Sequence, residues 1–231
     1  MFIPIPLELK HSGTRTNVPT VNAALIIANV LVYLFGWHWS VGPGTNLLSI
    51  LTYGFCHFGF WHLLLNMWVL WVFGKPVNRR LGNGLYLFVY LGCLLAVGLF
   101  ARIFLPVGLV GSSGAIFAMV TIALILMPSA LVETAYLAVF PLTLLLGLLK
   151  PPKYGLNWFV RWGITPVPAL WCLVLIPLMQ FCSLLWHAWY FGWIWSWTPG
   201  AHLLGMLCGV AVVLLLPARI TMGRRSIADV Y

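Results

Sequence analysis

The run Gly111-Ser-Ser-Gly-Ala-Ile-Phe-Ala-Met-Val-Thr-Ile-Ala-Leu-Ile-Leu-Met-Pro128 begins with two serines between glycines and continues without a charge to a proline. Residues 113–127 predict a helix about 22 Å long at 1.5 Å per residue, and Pro128 ends it. The hydrocarbon core of a bilayer is about 30 Å thick. With its far end at the interface, so short a helix would carry Ser113 several Å below the opposite surface. A hydroxyl at that depth needs a polar partner or a water-filled cavity. The glycines allow close backbone approach, and the first amides of the helix are unpaired and favour negative charge. Such a corner suits a nucleophile beside an oxyanion. Ser and Gly are also common in membrane helices, so these four residues alone leave both readings open.

The rest of the chain is equally apolar. Of 231 residues, 62% are hydrophobic and 6% charged, far from the quarter or so of charged residues in a soluble domain. Further apolar runs lie at roughly 20–37, 61–74, 84–105, 167–190 and 201–217, with another at 131–149. A net charge of +9 taken alone would suit nucleic acid, but the basic residues form no stripe, which argues against that partner. They fall between the runs: Lys10 and Arg15; Lys75, Arg79 and Arg80; Lys150, Lys153 and Arg161; Arg219, Arg224 and Arg225. With six crossings, all but Arg102 of the twelve Lys and Arg residues share one face, as in cytoplasmic loops. Arg102, near a span end, can snorkel to the interface. A seventh crossing would split the charges. Glu133, Pro141 and Gly147 also mark 131–149 as an inner-surface or re-entrant segment.

The expected fold is therefore an all-α polytopic membrane protein with six transmembrane helices and a re-entrant or interfacial segment near 129–165. Residues 1–19 form a cytoplasmic N-terminal segment, 20–217 the membrane domain and 218–231 a cytoplasmic basic tail. The first residues carry prolines and charges and read as neither a signal nor a transit peptide. Trp37, Trp39, Trp186, Trp189, Trp193, Trp195 and Trp197 fit an aromatic belt at the outer interface. The cysteines form no C-x-x-C pair and read as small buried hydrophobes.

Polar residues interrupt the apolar runs at their outer ends, where they are costly and are functional candidates. Besides Gly111–Gly114 and a basic-aromatic patch around Arg102, these are His57 with His62 and Asn66, and Ala201-His202. His62 and Asn66 lie one turn apart on a single helix face. Both donate hydrogen bonds, so they suit either an interhelical polar contact or two donors aimed at one oxyanion. His202, Gly205 and Gly209 share a face, and the two glycines admit a neighbouring helix at close range. If that neighbour is 113–127, His202 and Ser113 meet, and a neutral imidazole can take the serine proton. The acids are Glu8, Glu133 and Asp229, none inside a span, which leaves a dyad rather than a triad. There is no H-E-x-x-H, and no metal or cofactor is expected.

Taken together, His57-x-x-x-x-His62-Leu-x-x-Asn66-Met, Gly111-x-Ser113-Gly114 with Phe117, and Ala201-His202-x-x-Gly205-x-x-x-Gly209 resemble the rhomboid family of intramembrane serine proteases. Phe73-Gly74, Arg79-Arg80-Leu81-Gly82, Pro168-Ala169 and Gln180 add to the likeness, which covers about 20–217 and is nearest the bacterial six-helix form. The resemblance implies Ser113 as nucleophile, His202 as general base and acid, and His62, Asn66 and the Ser113 amide as oxyanion hole. It implies His57 supporting the loop above, Phe117 packing on the His202 ring, and Gly111, Gly114, Gly205 and Gly209 as supporting positions. It further implies transmembrane protein substrates, no cofactor, and a multi-pass protein of the bacterial inner membrane with both termini cytoplasmic. Two features depart from the pattern: the extra length around 129–165, and Asn78 where an acid beside Arg79 and Arg80 is expected. The alternatives are a non-proteolytic rhomboid-like binding or quality-control protein for membrane helices, and a small channel or transporter. The second lacks an intramembrane acid and an inverted repeat. Oligomeric state is not legible.

Overall fold

A computed structural model describes residues 2–10, 18–106, 108–139, 160–191, 197–217 and 220. Residues 11–17, the middle of the 129–165 segment (140–159), Trp193, Trp195 and the basic tail apart from Ile220 lie outside the described residues.

Each of the six expected runs carries a helix. These are α1 (Thr20–Leu34), α3 (Phe60–Val69), α5 (Asn83–Phe104), α6 (Ser113–Leu126), α7 (Ala169–Phe191) and α8 (Trp197–Leu215). A π turn, Leu70–Gly74, joins α3 to α4 (Lys75–Leu81). The short α2 (Ser49–Thr52) and the turn Tyr53–Phe55 meet this rod at 92°. By length and composition α5, α7 and α8 can each cross a bilayer, and the bent pair is a fourth candidate; α1 and α6 are shorter. Large apolar side chains such as Leu34, Phe88, Ile103, Met179 and Leu214 stand exposed on the outside of the bundle. Water would not tolerate so much contiguous apolar surface; lipid does.

The short α6 is the axis of the bundle. Its residues are small or apolar all round, and nearly all are buried. A helix without a polar face belongs inside. α5, α7, α8 and the π turn pack around it.

The all-α expectation needs one correction. Phe2–Lys10 (β1), Leu131–Val139 (β2) and Val160–Pro168 (β3) form an antiparallel sheet in the order β1-β2-β3. The described flanks of the supposed re-entrant segment are thus strands, with Ile5 opposite Ala135 and Ala135 opposite Ile164. Leu9, Val132 and Thr134 are buried, whereas Ile5, Leu131, Trp162 and Ile164 are exposed. Alternation of this kind is the mark of a half-buried strand. Pro4 and Pro6 are tolerated because β1 lies at the edge. Trp68 Nε1 donates to the Pro6 carbonyl at 2.7 Å, which ties the β1 edge to α3, and the Ala169 amide donates to the Ala130 carbonyl at 2.9 Å, where the β2–β3 pair meets the start of α7. Lys10 pairs with Glu133 at 2.6 Å, and its hydrogen bond to that carboxylate raises the Lys10 pKa above its ordinary value.

A neutral network, not the expected acid, binds α1, α4 and α5 at the sheet end. Asn22 and Asn78 are both fully buried. The Asn22 backbone N–H donates to Asn78 Oδ1 at 2.9 Å, Asn78 Nδ2 to Asn83 Oδ1 at 2.9 Å, and the Tyr86 hydroxyl to Asn22 Oδ1 at 2.6 Å. Arg80 donates to the Ile220 carbonyl through Nε and Nη2. The absence of a side chain at Gly74 leaves room for this network: a Cβ there would overlap Asn22 Oδ1 and lie 2.6 Å from the Tyr86 hydroxyl. Gly74→Ala is expected to destabilise the protein by about 2–3 kcal/mol, combining overpacking with a broken buried hydrogen bond. Thermal unfolding in detergent checks this against Gly84→Ala, where an added methyl meets open space.

Candidate active site

The site lies at the opposite end, where α3 and α6 begin and α5 finishes. Three ties shape it. Val41 and Leu109 exchange backbone hydrogen bonds of 2.9 and 2.8 Å, which joins the loop after α1 to the loop before α6. Arg102 donates to the Thr45 carbonyl and hydroxyl, so it anchors that first loop and does not simply snorkel. The Gly111 amide donates to the Tyr53 carbonyl at 3.0 Å, and the Tyr53 hydroxyl to Leu94 at 2.9 Å. Apart from Arg102 and Gly111, none of these partners stands out in the sequence.

Gly111 makes the corner. Its φ of +110° is a conformation that side-chain-bearing residues rarely adopt. A Cβ at this position would lie 2.8 Å from His62 Cε1, 3.1 Å from His62 Nε2 and 3.9 Å from Asn66 Nδ2. The turn therefore runs against the two residues that sequence spacing put on one helix face. The Phe58 amide donates to His62 Nδ1 at 3.4 Å, which leaves Nε2 as the protonated nitrogen of the neutral ring. Asn66 Nδ2 is buried and has no acceptor among the described residues. Buried donors without partners are rare enough to call for a reason. Here the donor sits beside the Gly111 corner, where a ligand oxygen could receive it.

The two serines face different partners. Ser112, fully buried, has its Oγ 3.5 Å from His57 Nε2. The His57 ring lies edge-on to His62, with centroids 5.0 Å apart. Ser113 is the first residue of α6, at the end where helix amides are unpaired.

His202 reaches the same region from α8. The sequence expectation of a glycine-faced helix against Gly114 is met by the packing: a Cβ on Gly205 would overlap the Gly114 carbonyl oxygen, and one on Gly209 would lie 2.7 Å from that of Ala118. Gly114 is closed on its other side by Val97, whose Cγ1 would be 2.9 Å from an added Cβ. The backbones of α6 and α8 are thus in contact. Phe117, one turn after Ser113, stacks on the His202 ring with centroids 4.2 Å apart and planes 20° apart. His202 Nδ1 lies 2.9 Å from Gln180 Oε1 on α7. Among the described residues no hydrogen bond joins Ser113 Oγ to the ring. Catalytic hydrogen bonds are often long or poorly aligned before substrate binds.

The arrangement offers a hydroxyl at a helix start, a histidine whose plane is fixed by a stacked aromatic, and two side-chain donors beside a strained turn. That is the inventory of nucleophilic acyl transfer. A family model described as the rhomboid domain matches residues 44–150, which include His57, His62, Asn66, Gly111, Ser113 and Phe117. The chain is 32% identical over 109 residues to the rhomboid protease GluP of Bacillus subtilis, covering 47% of this chain and 20% of that protein. It is 34% identical over 104 residues to the mitochondrial rhomboid protein 1 of Saccharomyces cerevisiae, covering 42% of this chain and 29% of that protein. The matches thus span less than a third of either relative's length. With its apolar helices the chain is an integral, multi-pass membrane protein, and over residues 44–150 it is similar to the rhomboid domain.

Proposed function

We propose that this chain is an intramembrane serine endopeptidase acting on membrane-anchored substrates through Ser113 and His202. The corner at Gly111 supports the reading most. It brings the start of α6 against His62 and Asn66, with an unpartnered buried donor, beside the helix that carries His202. In this reading Ser113 Oγ attacks the scissile carbonyl carbon, and its proton passes to His202 Nε2. The carbonyl oxygen, now negative, accepts from His62 Nε2–H, Asn66 Nδ2–H and the Ser113 amide. As the C–N bond breaks, the imidazolium gives its proton to the departing amine. A water, deprotonated by the same ring, then hydrolyses the acyl-enzyme and leaves a carboxylic acid and a free serine.

The same reading has six spans, with both termini on the cytoplasmic face of a bacterial inner membrane. Residues 1–19 and 218–231 flank the membrane domain, and His57 supports the turn through Ser112. Substrate helices weakened by Gly, Pro or polar residues are favoured, because a helix must unwind to present its carbonyl.

A fluorophosphonate probe tests the nucleophile. Wild type in detergent is expected to label, Ser113→Ala not at all, His202→Ala far more slowly, and Ser112→Ala close to wild type. Labelling that persists in Ser113→Ala would assign the reactive hydroxyl elsewhere. A folded wild type that neither labels nor cleaves would favour the non-proteolytic binding protein.

A further inference from the structure

We propose that Gln180 is the positioning residue of His202, doing through a neutral amide what a carboxylate does in a Ser-His-Asp triad. The inference rests on the protease reading above for its consequence, but its physical core is one contact. Gln180 Oε1 lies 2.9 Å from His202 Nδ1. An amide oxygen can only accept, so Nδ1 carries the proton and Nε2 keeps its lone pair. Nε2 is the nitrogen the mechanism needs as base.

The stack from Phe117 cannot do this alone. A ring held face to face at 4.2 Å is fixed in its plane but can still turn within it, and stacking does not distinguish the two tautomers. The bond to Gln180 removes both freedoms. Among the described residues no carboxylate competes for Nδ1, because Glu8 and Glu133 lie in the sheet at the other end of the bundle. The position of Gln180 is also costly. It is half-buried in a helix whose residues face mostly outward and are mostly apolar, with Pro177 one turn before it. A primary amide there needs a partner, and the one it has is the ring of His202. Gln180 begins a polar file on α7, followed at i+3 and i+7 by Ser183 and His187, which are themselves hydrogen-bonded.

The test uses the full-length protein in detergent with Gln180→Met, which keeps the length and removes the acceptor, and Gln180→Glu, which restores one. Two readouts are independent. Nitrogen-15 NMR of histidine-labelled protein, with His202 assigned by its loss in His202→Ala, reports the tautomer whether or not the protein cleaves anything. Cleavage of a membrane-anchored substrate, measured against pH, reports the consequence. The expected result is a single Nδ1-protonated tautomer in wild type and a mixture in Gln180→Met. The kcat of Gln180→Met should fall about ten- to a hundredfold at unchanged KM, the range that loss of an orienting partner costs at metal-bound histidines. Gln180→Glu should recover most of the rate, with the acid limb of its profile moved to higher pH, because a carboxylate stabilises the imidazolium. A merely structural glutamine would move neither tautomer nor pH limb. An unchanged His202 tautomer in Gln180→Met, or wild-type kcat in that variant, overturns the proposal. Cleavage that survives Ser113→Ala overturns the protease reading instead, while a tautomer that still shifts upholds the contact with Gln180.

Discussion

Cleavage of a membrane-anchored reporter is expected to fall by about 10^4- to 10^6-fold in Ser113→Ala, by a similar factor in His202→Ala, and no further in the double variant. In the proposed mechanism the two residues act as one unit. Without Nε2 to take its proton, the Ser113 hydroxyl is a poor nucleophile. Without the hydroxyl, the base has nothing to activate except water. What survives is the electrostatic contribution of His62 and Asn66 at the Gly111 corner, which neither substitution touches. Ser112→Ala is the informative companion. Ser112 Oγ faces His57, so its loss should loosen the turn and reduce the rate modestly without abolishing it. Quantified product from these variants, with expression matched, checks the whole pattern. If the Ser113 and His202 losses multiplied in the double variant, the two would be acting separately and the dyad would be wrong.

The helices and the contacts of the candidate site were legible in the sequence for different reasons. Apolar runs broken by loops located the longer helices α1, α3, α5, α6, α7 and α8, and Pro128 marked the end of α6 within two residues. The i, i+4 spacing of His62 and Asn66, and of Gly205 and Gly209, located contacts because a helix turns a local interval into a shared face. The sheet was not legible for the converse reason. Leu131–Val139 is apolar enough to pass for membrane, and its alternation of exposed Leu131 with buried Val132 and Thr134 takes meaning only once a partner strand is known. That partner, Phe2–Lys10, is more than a hundred residues away and carries two prolines that argue against a strand. Asn78 read as a missing acid because its partner, Asn22, is likewise distant and unremarkable. Gln180 gave a signal, a polar residue inside an apolar run. Its partner His202 could be named only after α7 and α8 were seen side by side.

Gly205→Ala is expected to lower kcat about a hundredfold while leaving the protein folded. The added Cβ overlaps the carbonyl oxygen of Gly114 and lies 2.8 Å from its carbonyl carbon. These are backbone atoms of the buried axial helix, with Val97 packed against their other side, so they cannot yield as a side chain would. α8 must therefore retreat from α6 by more than about 1 Å to reach ordinary van der Waals separation. His202 lies one turn before Gly205 on α8, and Ser113 immediately precedes Gly114 on α6, so that retreat opens directly between the proposed base and the proposed nucleophile. Misplacement of about 1 Å costs on the order of 10^2 in rate. At Gly209 the nearest atom is the Ala118 carbonyl oxygen at 2.7 Å, further along the helix from the site, so Gly209→Ala should cost less. At Gly92, where an added methyl meets nothing within 4 Å, alanine should be neutral or slightly stabilising. Kinetics and thermal unfolding of the three variants together separate geometry from stability. A rate loss in the order Gly205, Gly209, Gly92, larger than any loss of stability explains, is what close helix contact predicts. Equal rates in all three would mean that the distance between α6 and α8 does not govern the chemistry.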